Sequence, residues 1–196
     1  WPRVVEIAWQ LVRFPSLTED AVLLESGCFI VRPDPDLVWN EESAGFHKIS
    51  KERALTEGHA PADVYNAFRS VCRNSHMLVA HNMAFDKPVV KAEFLRMNNA
   101  EDFAWWPGAE YCTCENTKMI CKLPARNPRP HDPYKRPRLV ELYSFLYGRE
   151  ADVVLHSAAG DVECLTQAFR ELVRRRLVPM EIWLRNFRVV ALPRSA

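Results

Sequence analysis

The chain has 196 residues, 48% of them hydrophobic and 26% charged, with a formal net charge of +1. That balance describes one ordinary globular domain, with enough chain for a sizeable α/β core and too little for two. No apolar run approaches the roughly 20 residues that span a bilayer, and nothing at the start resembles a secretory signal.

Residues 4–12 and 22–32 are rich in Val, Ile, Leu, Trp and Phe and are separated by turn formers, which predicts two antiparallel strands. Residues 33–60 are polar and contain prolines, the composition of an irregular surface connection. Pro61 opens a helix whose Val64, Ala67, Phe68, Val71 and Cys72 share one face. Met77-Leu78-Val79-Ala80 reads as a short buried strand of a parallel sheet. A helix follows directly, with Pro88 in its first turn and Val90, Phe94 and Met97 on its inner face. Residues 111–114 read as a further short strand, and 123–137, with five prolines, as no regular element. Residues 138–147 form a helix stopped by Gly148. The last long helix starts at the N-cap Ser157 and runs to about Arg176, burying Val162, Leu165, Phe169, Leu172 and Val173. Residues 177–196 are expected to form a C-terminal helix and tail. Strands followed by alternating helices predict a single layered α/β domain over residues 1–196.

Charge is distributed more tellingly than its sum. Lys122, Arg126, Arg129, Lys135, Arg136 and Arg138 face one acid, Asp132. Such an excess either meets phosphates or keeps a solvated loop soluble. The six cysteines lack the density of a secreted scaffold, so a reducing intracellular compartment, cytoplasm or nucleus, is expected. Cys112, Cys114 and Cys121 read first as ordinary buried thiols and second as three zinc ligands, since no C-x2-C pair or finger-spaced histidine accompanies them.

Two short constellations have the geometry of a metal site. Asp86 lies just after the strand 77–80, and His156 and Asp161 lie five residues apart at the start of the last helix. Ligands of α/β sheets gather outside the carboxyl ends of strands, where helix N-termini also point. An aspartate there suits Mg²⁺; taken singly, each also reads as a helix cap.

With their flanks the segments are more specific. Residues 78–86, Leu-Val-Ala-His-Asn-Met-Ala-Phe-Asp, resemble the second motif of the DEDDh 3′→5′ exonucleases, the group of epsilon-type proofreading and TREX-type enzymes. Residues 156–162, His-Ser-Ala-Ala-Gly-Asp-Val, resemble their third motif, with histidine five residues before aspartate. The DEDDy branch would carry tyrosine where Ser157 stands. Residues 3–8 resemble the family's second strand, and segments between 112 and 143 resemble the lead into the third motif, so the likeness runs from about Arg3 to Val173.

The resemblance implies an RNase H-like mixed sheet flanked by helices. It also implies hydrolysis at the 3′ end of DNA or RNA with two Mg²⁺ or Mn²⁺ ions. Asp86 and Asp161 would be metal ligands and His156 the general base. His81, Asn82 and Phe85 would meet the terminal nucleotide, with buried structural hydrogen bonds the equal reading for the first two. From the basic stretch, Lys135, Arg136 and Arg138 are expected to meet the backbone of a nucleic acid with a free 3′ end, expected to be single-stranded. No membrane partner is implied, and nothing in the sequence supports a homo-oligomer.

One departure is serious. The family's first motif, Asp-x-Glu on a central strand, precedes the strand that starts at Arg3, and here the chain begins at Trp1 rather than methionine. Glu6 matches another family position, and Asp161-Val162-Glu163 has the right spelling in the wrong motif. Two carboxylates cannot hold two dications well, so the 196 residues alone are expected to be inactive. The missing strand is expected between residues 4–12 and 77–80, supplied from upstream or by a separate chain. The alternative function is a nuclease-derived module that grips single strands without cutting them.

Overall fold

β1 (Glu6–Phe14) buries Ile7, Ala8, Trp9, Leu11, Val12 and Phe14, so it is apolar on both faces. Such a strand belongs inside a sheet that is covered on both sides. The computed structural model of the chain, which describes residues 2–15, 19–97, 102–152, 157–179 and 187–192, sets it there. β2 (Val22–Ile30) pairs antiparallel with β1 and forms the exposed edge. The ladder passes from Leu11↔Glu25 to Val12↔Leu23, leaving Leu24 as the extra residue of a bulge. Opposite Trp9 stands Gly27, where a Cβ would come within 2.5 Å of the indole. Only glycine lets that ring lie across β2 and stack on Phe29, at 5.3 Å between centroids.

The connection over residues 33–60 is more regular than its composition suggests. It holds α1 (Glu41–His47), capped by Asn40 on the Ser43 amide, and α2 (Lys51–Glu57), capped by Ser50 on the Arg53 amide. Good caps at both starts offset the short apolar pattern that hides these helices from periodicity. α3 (Pro61–Arg73) is as expected, with Tyr65 added to its buried face. β3 (Met77–Ala80) is wholly buried. α4 (Met83–Met97) carries Pro88 inside the helix rather than in its first turn, and Met97 is 38% exposed, so its inner face is Met83, Asp86, Val89, Val90, Glu93 and Phe94.

β4 (Ala109–Cys112) is followed without a loop by α5 (Thr113–Asn116) and α6 (Lys118–Cys121). The proline-rich stretch is a ribbon, β5 (Pro124–Arg129) against β6 (Asp132–Tyr134), where no regular element was expected. It is tolerated because the ribbon stands in solvent and pairs only at its two ends, so prolines remove few ladder donors. α7 (Leu139–Tyr147) ends on Gly148 at φ 66°, and α8 (Ala158–Arg174) starts from the Ser157 cap.

The largest correction lies at the end. Within residues 177–196, expected as helix and tail, Phe187–Leu192 form a strand, β7. The sheet runs β2-β1-β7-β3-β4, with β7 antiparallel to β1 and parallel to β3. A strand therefore does lie between β1 and β3, as pairing of their inner edges requires. It comes from the chain's own C-terminal region and carries no carboxylate. Its six residues alternate: Phe187, Val189 and Ala191 enter the core beneath α7 and α8, Val190 and Leu192 the core beneath α3 and α4. The result is a three-layer α/β/α domain. No helix among the described residues is long and apolar enough to cross a membrane.

Candidate active site

The direction of the strands decides what meets at one edge. β3, β4 and β7 run parallel, and β1 runs against them, so the carboxyl ends of those three strands share an edge with Glu6, the first residue of β1. The first turn of α4 leaves this edge on one face of the sheet. α8 arrives at it on the other face, where Ala158 and Val162 pack on Ala8 and the Ala158 amide donates to Glu6 Oε2 at 2.9 Å. Asp86 and Asp161 thus belong to helix starts on the same edge.

Neither aspartate is a cap. α4 begins at Met83 and α8 at Ala158, so each stands at the fourth helical position. Capping of α8 is already supplied by Ser157, whose hydroxyl accepts from the Gly160 amide at 3.1 Å. Asp86 is 1% exposed and Asp161 half-buried. His156 lies outside the described residues.

Three more of the expected residues sit at the end of β3. Asn82 has φ 91°, the left-handed side that asparagine tolerates better than most, and its carbonyl accepts from the Phe85 and Asp86 amides. This conformation lets the strand turn into α4 within two residues. Phe85 packs against the core under α3 and α4. His81 is 3% exposed, with Nδ1 2.9 Å from Thr113 Oγ1 and Nε2 3.0 Å from the Pro137 carbonyl. A carbonyl only accepts, so Nε2 carries a proton and donates. His81 thereby ties β3 to the start of α5 and to the lead into α7, which is the structural bridge of the two readings.

The basic residues divide into two groups. Lys135 pairs with Glu141 at 2.6 Å, Arg138 with the same carboxylate at 3.2 Å, and Arg136 with Glu115 at 2.6 Å. Burial works against ionisation of Glu141, but the Lys135 ammonium and the Arg138 amide and guanidinium hold its carboxyl below the usual range. Lys122, which caps α6, and Arg126 and Arg129 on the ribbon are exposed and have no ion pair among the described residues. Lys118 pairs with Asp132, the acid of the ribbon.

One contributor was passed over in the sequence. Thr113 is fully buried and links His81 to the Ala80 carbonyl; a lone threonine gives no signal. Glu6, weighed in the sequence and set aside as no substitute for the missing acids, stands at this edge with its carboxylate on the Ala158 amide.

Carboxylate oxygen is the donor that Mg²⁺ and Mn²⁺ take, so the donor type fits. The number does not. Among the described residues no three His, Cys, Asp or Glu side chains stand together to hold an ion.

Comparison with known proteins bears on the family and the fold. The exonuclease family model RNase_T matches residues 18–169. E. coli exonuclease I in complex with a 5cy-dT13 oligonucleotide is similar in structure at TM-score 0.63 and 18% identity, over 87% of this chain and 37% of that one. The zinc-bound form of the E. coli exonuclease I complex with single-stranded DNA gives TM-score 0.66 and 18% identity, over 89% of this chain and 38% of that one. The chain thus spans well under half of either neighbour, and the likeness establishes an RNase H-like α/β fold. No curated protein sequence matches.

Proposed function

The chain belongs to the exonuclease family, and from that premise we propose that it is the core of a 3′→5′ exonuclease acting on nucleic acid with an open 3′ end, single-stranded DNA or RNA. The observation that carries the proposal is the pair of aspartates, Asp86 and Asp161, each at the fourth position of a helix that starts at the same sheet edge. They are non-capping carboxylates where ligands of such sheets gather. The edge would bind Mg²⁺ or Mn²⁺ through them, and a bound dication supplies charge to offset that of the phosphodiester.

The chain's own residues have distinct tasks in this reading. His156 is the general base, an imidazole that takes a proton from the attacking water near neutral pH. Asn82 and Phe85 line the nucleotide side of the edge, and His81 holds that wall in position through Thr113 and Pro137. Two carboxylates are too few for two ions, so further acids on the central strand are required for cleavage. In the resembled family those acids stand on the strand whose slot β7 takes here.

The test supplies that strand. The 196-residue chain, and the same chain fused behind an apolar strand bearing Asp-x-Glu, are assayed on labelled single-stranded DNA and RNA with Mg²⁺ or Mn²⁺. Stepwise release from the 3′ end by the fused form, and little or none by the chain alone, is expected. Tight binding with no release by either form would favour the non-cutting module, and release from the 5′ end would overturn the polarity.

A further inference from the structure

Cys112 closes β4 and Cys114 lies in the first turn of α5, with sulfurs 3.5 Å apart. Neither is in a disulfide, Cys112 is partly exposed, and Cys114 is 4% exposed. Between them stands Thr113, the buried residue that holds His81 Nδ1. The sulfur of Cys112 also faces main-chain N–H groups from two elements, Glu115 of α5 and Met83 and Asn82 at the start of α4. A thiol surrounded by donors from its neighbour and from helix starts has the setting in which thiolates form.

We infer that Cys112 and Cys114 are a peroxide-reactive dithiol that closes to a disulfide beside the start of α4.

The hydrogen bond from Cys114, with the three amides, lowers the Cys112 pKa although burial opposes it. The same contact, burial and the charge of Glu115 raise that of Cys114, which Arg136 offsets only in part. Cys112, the more exposed of the two sulfurs, is the attacking thiolate and Cys114, 4% exposed, the resolving thiol. Cys28, though exposed, is pushed the other way by burial and by Glu6. The Cys112 thiolate attacks one oxygen of hydrogen peroxide. An S–O bond forms, the O–O bond breaks and hydroxide leaves. The Cys114 sulfur then attacks the sulfenic acid. The S–S bond forms, the S–O bond breaks, and the departing hydroxide takes up the Cys114 proton as water. Each sulfur gives up one electron and the two peroxide oxygens are reduced.

Closure draws both sulfurs together around Thr113 and removes the negative sulfur that the Asn82 and Met83 amides face. It disturbs the His81–Thr113 bridge and the first turn that carries Asp86. An effect on oligonucleotide binding follows, and that consequence rests on the nuclease reading.

The whole chain is treated with stoichiometric hydrogen peroxide at pH 7, then alkylated with iodoacetamide and mapped by mass spectrometry. A loss of about 2 Da in the peptide holding residues 112–114, reversed by dithiothreitol, is expected. In Cys114→Ser the Cys112 sulfenic acid should be captured by dimedone, and in Cys112→Ser the reaction should stop. At pH 6.5, without peroxide, Cys112 should alkylate roughly ten-fold or more faster than Cys28. Both thiols remaining alkylatable after peroxide, or Cys28 reacting first, overturns the site. Binding of a fluorescent dT oligonucleotide is measured beside it and should weaken on oxidation. Unchanged affinity with a complete mass shift overturns the coupling and leaves the dithiol. A reduced chain that binds no oligonucleotide overturns the nuclease reading alone.

Discussion

A carboxylate in the first turn of a helix gains only about 0.3–1 kcal/mol from the helix N-terminus, too little to account for deep burial. Asp86 and Asp161 both stand there, one of them almost fully buried. In the strand-supplied form Asp86→Asn and Asp161→Asn should each abolish cleavage and weaken Mn²⁺ binding, since an amide brings no charge to offset a dication. Calorimetry finding undiminished affinity in both variants would return them to structural roles. His156 precedes the α8 cap by one residue and is judged by turnover. His156→Ala should slow release by about 10²–10⁴-fold while melting temperature and Mn²⁺ affinity hold. Cleavage at the unsubstituted rate would remove it as the base. The placing of Asp86 and Asp161 at helix starts was legible because motif and strand-end position agree. Thr113 was not, because its part is set by a histidine thirty-two positions away, a contact that only folding creates.

Elements that carry their own periodicity were legible, and those shaped by their neighbours were not. The buried stripe of α8 and the stop of α7 at Gly148 follow from local rules. The helices α1 and α2 and the β5–β6 ribbon escaped because caps and solvent exposure, rather than an apolar pattern, sustain them. The ribbon also reorders the basic residues. Lys135, Arg136 and Arg138 spend their charge on Glu141 and Glu115, whereas Lys122, Arg126 and Arg129 point their charge at solvent. Backbone contact should follow the second group. Replacing Lys122, Arg126 and Arg129 by Ala should weaken single-strand binding and lower the salt slope by up to about one unit per lost contact. The same change at Lys135, Arg136 and Arg138 should alter the slope less and the melting temperature more. Equal slopes in all three proteins would make the whole segment a solvated surface.

At the scale of the molecule the decisive feature is which strand fills the centre of the sheet. β1 and β3 each present an inner row of backbone donors and acceptors, and leaving such a row buried and unpaired costs about 1–3 kcal/mol per group, enough in sum to exceed a typical net stability of about 5–15 kcal/mol. The resemblance implies a strand between these two, since that follows from the family's strand order, and β7 stands there. The sequence could not show the occupant, because residues 187–192, apolar but for Arg188, are too short a run for periodicity to separate strand from helix. β7 satisfies both rows at once, antiparallel on one side and parallel on the other. In the resembled family that slot carries Asp-x-Glu, so β7 and such a strand would compete for one place. Val190, fully buried on β7, separates the cases. Val190→Asp sets an unpaired charge in the core, so the 196-residue chain should lose about 3–5 kcal/mol and most of its cooperative melt. In the strand-supplied form β7 is displaced, and the same substitution should shift the melting temperature by no more than an ordinary surface change. A melt lowered equally in both forms would mean that β7 keeps the centre and that the added strand docks elsewhere.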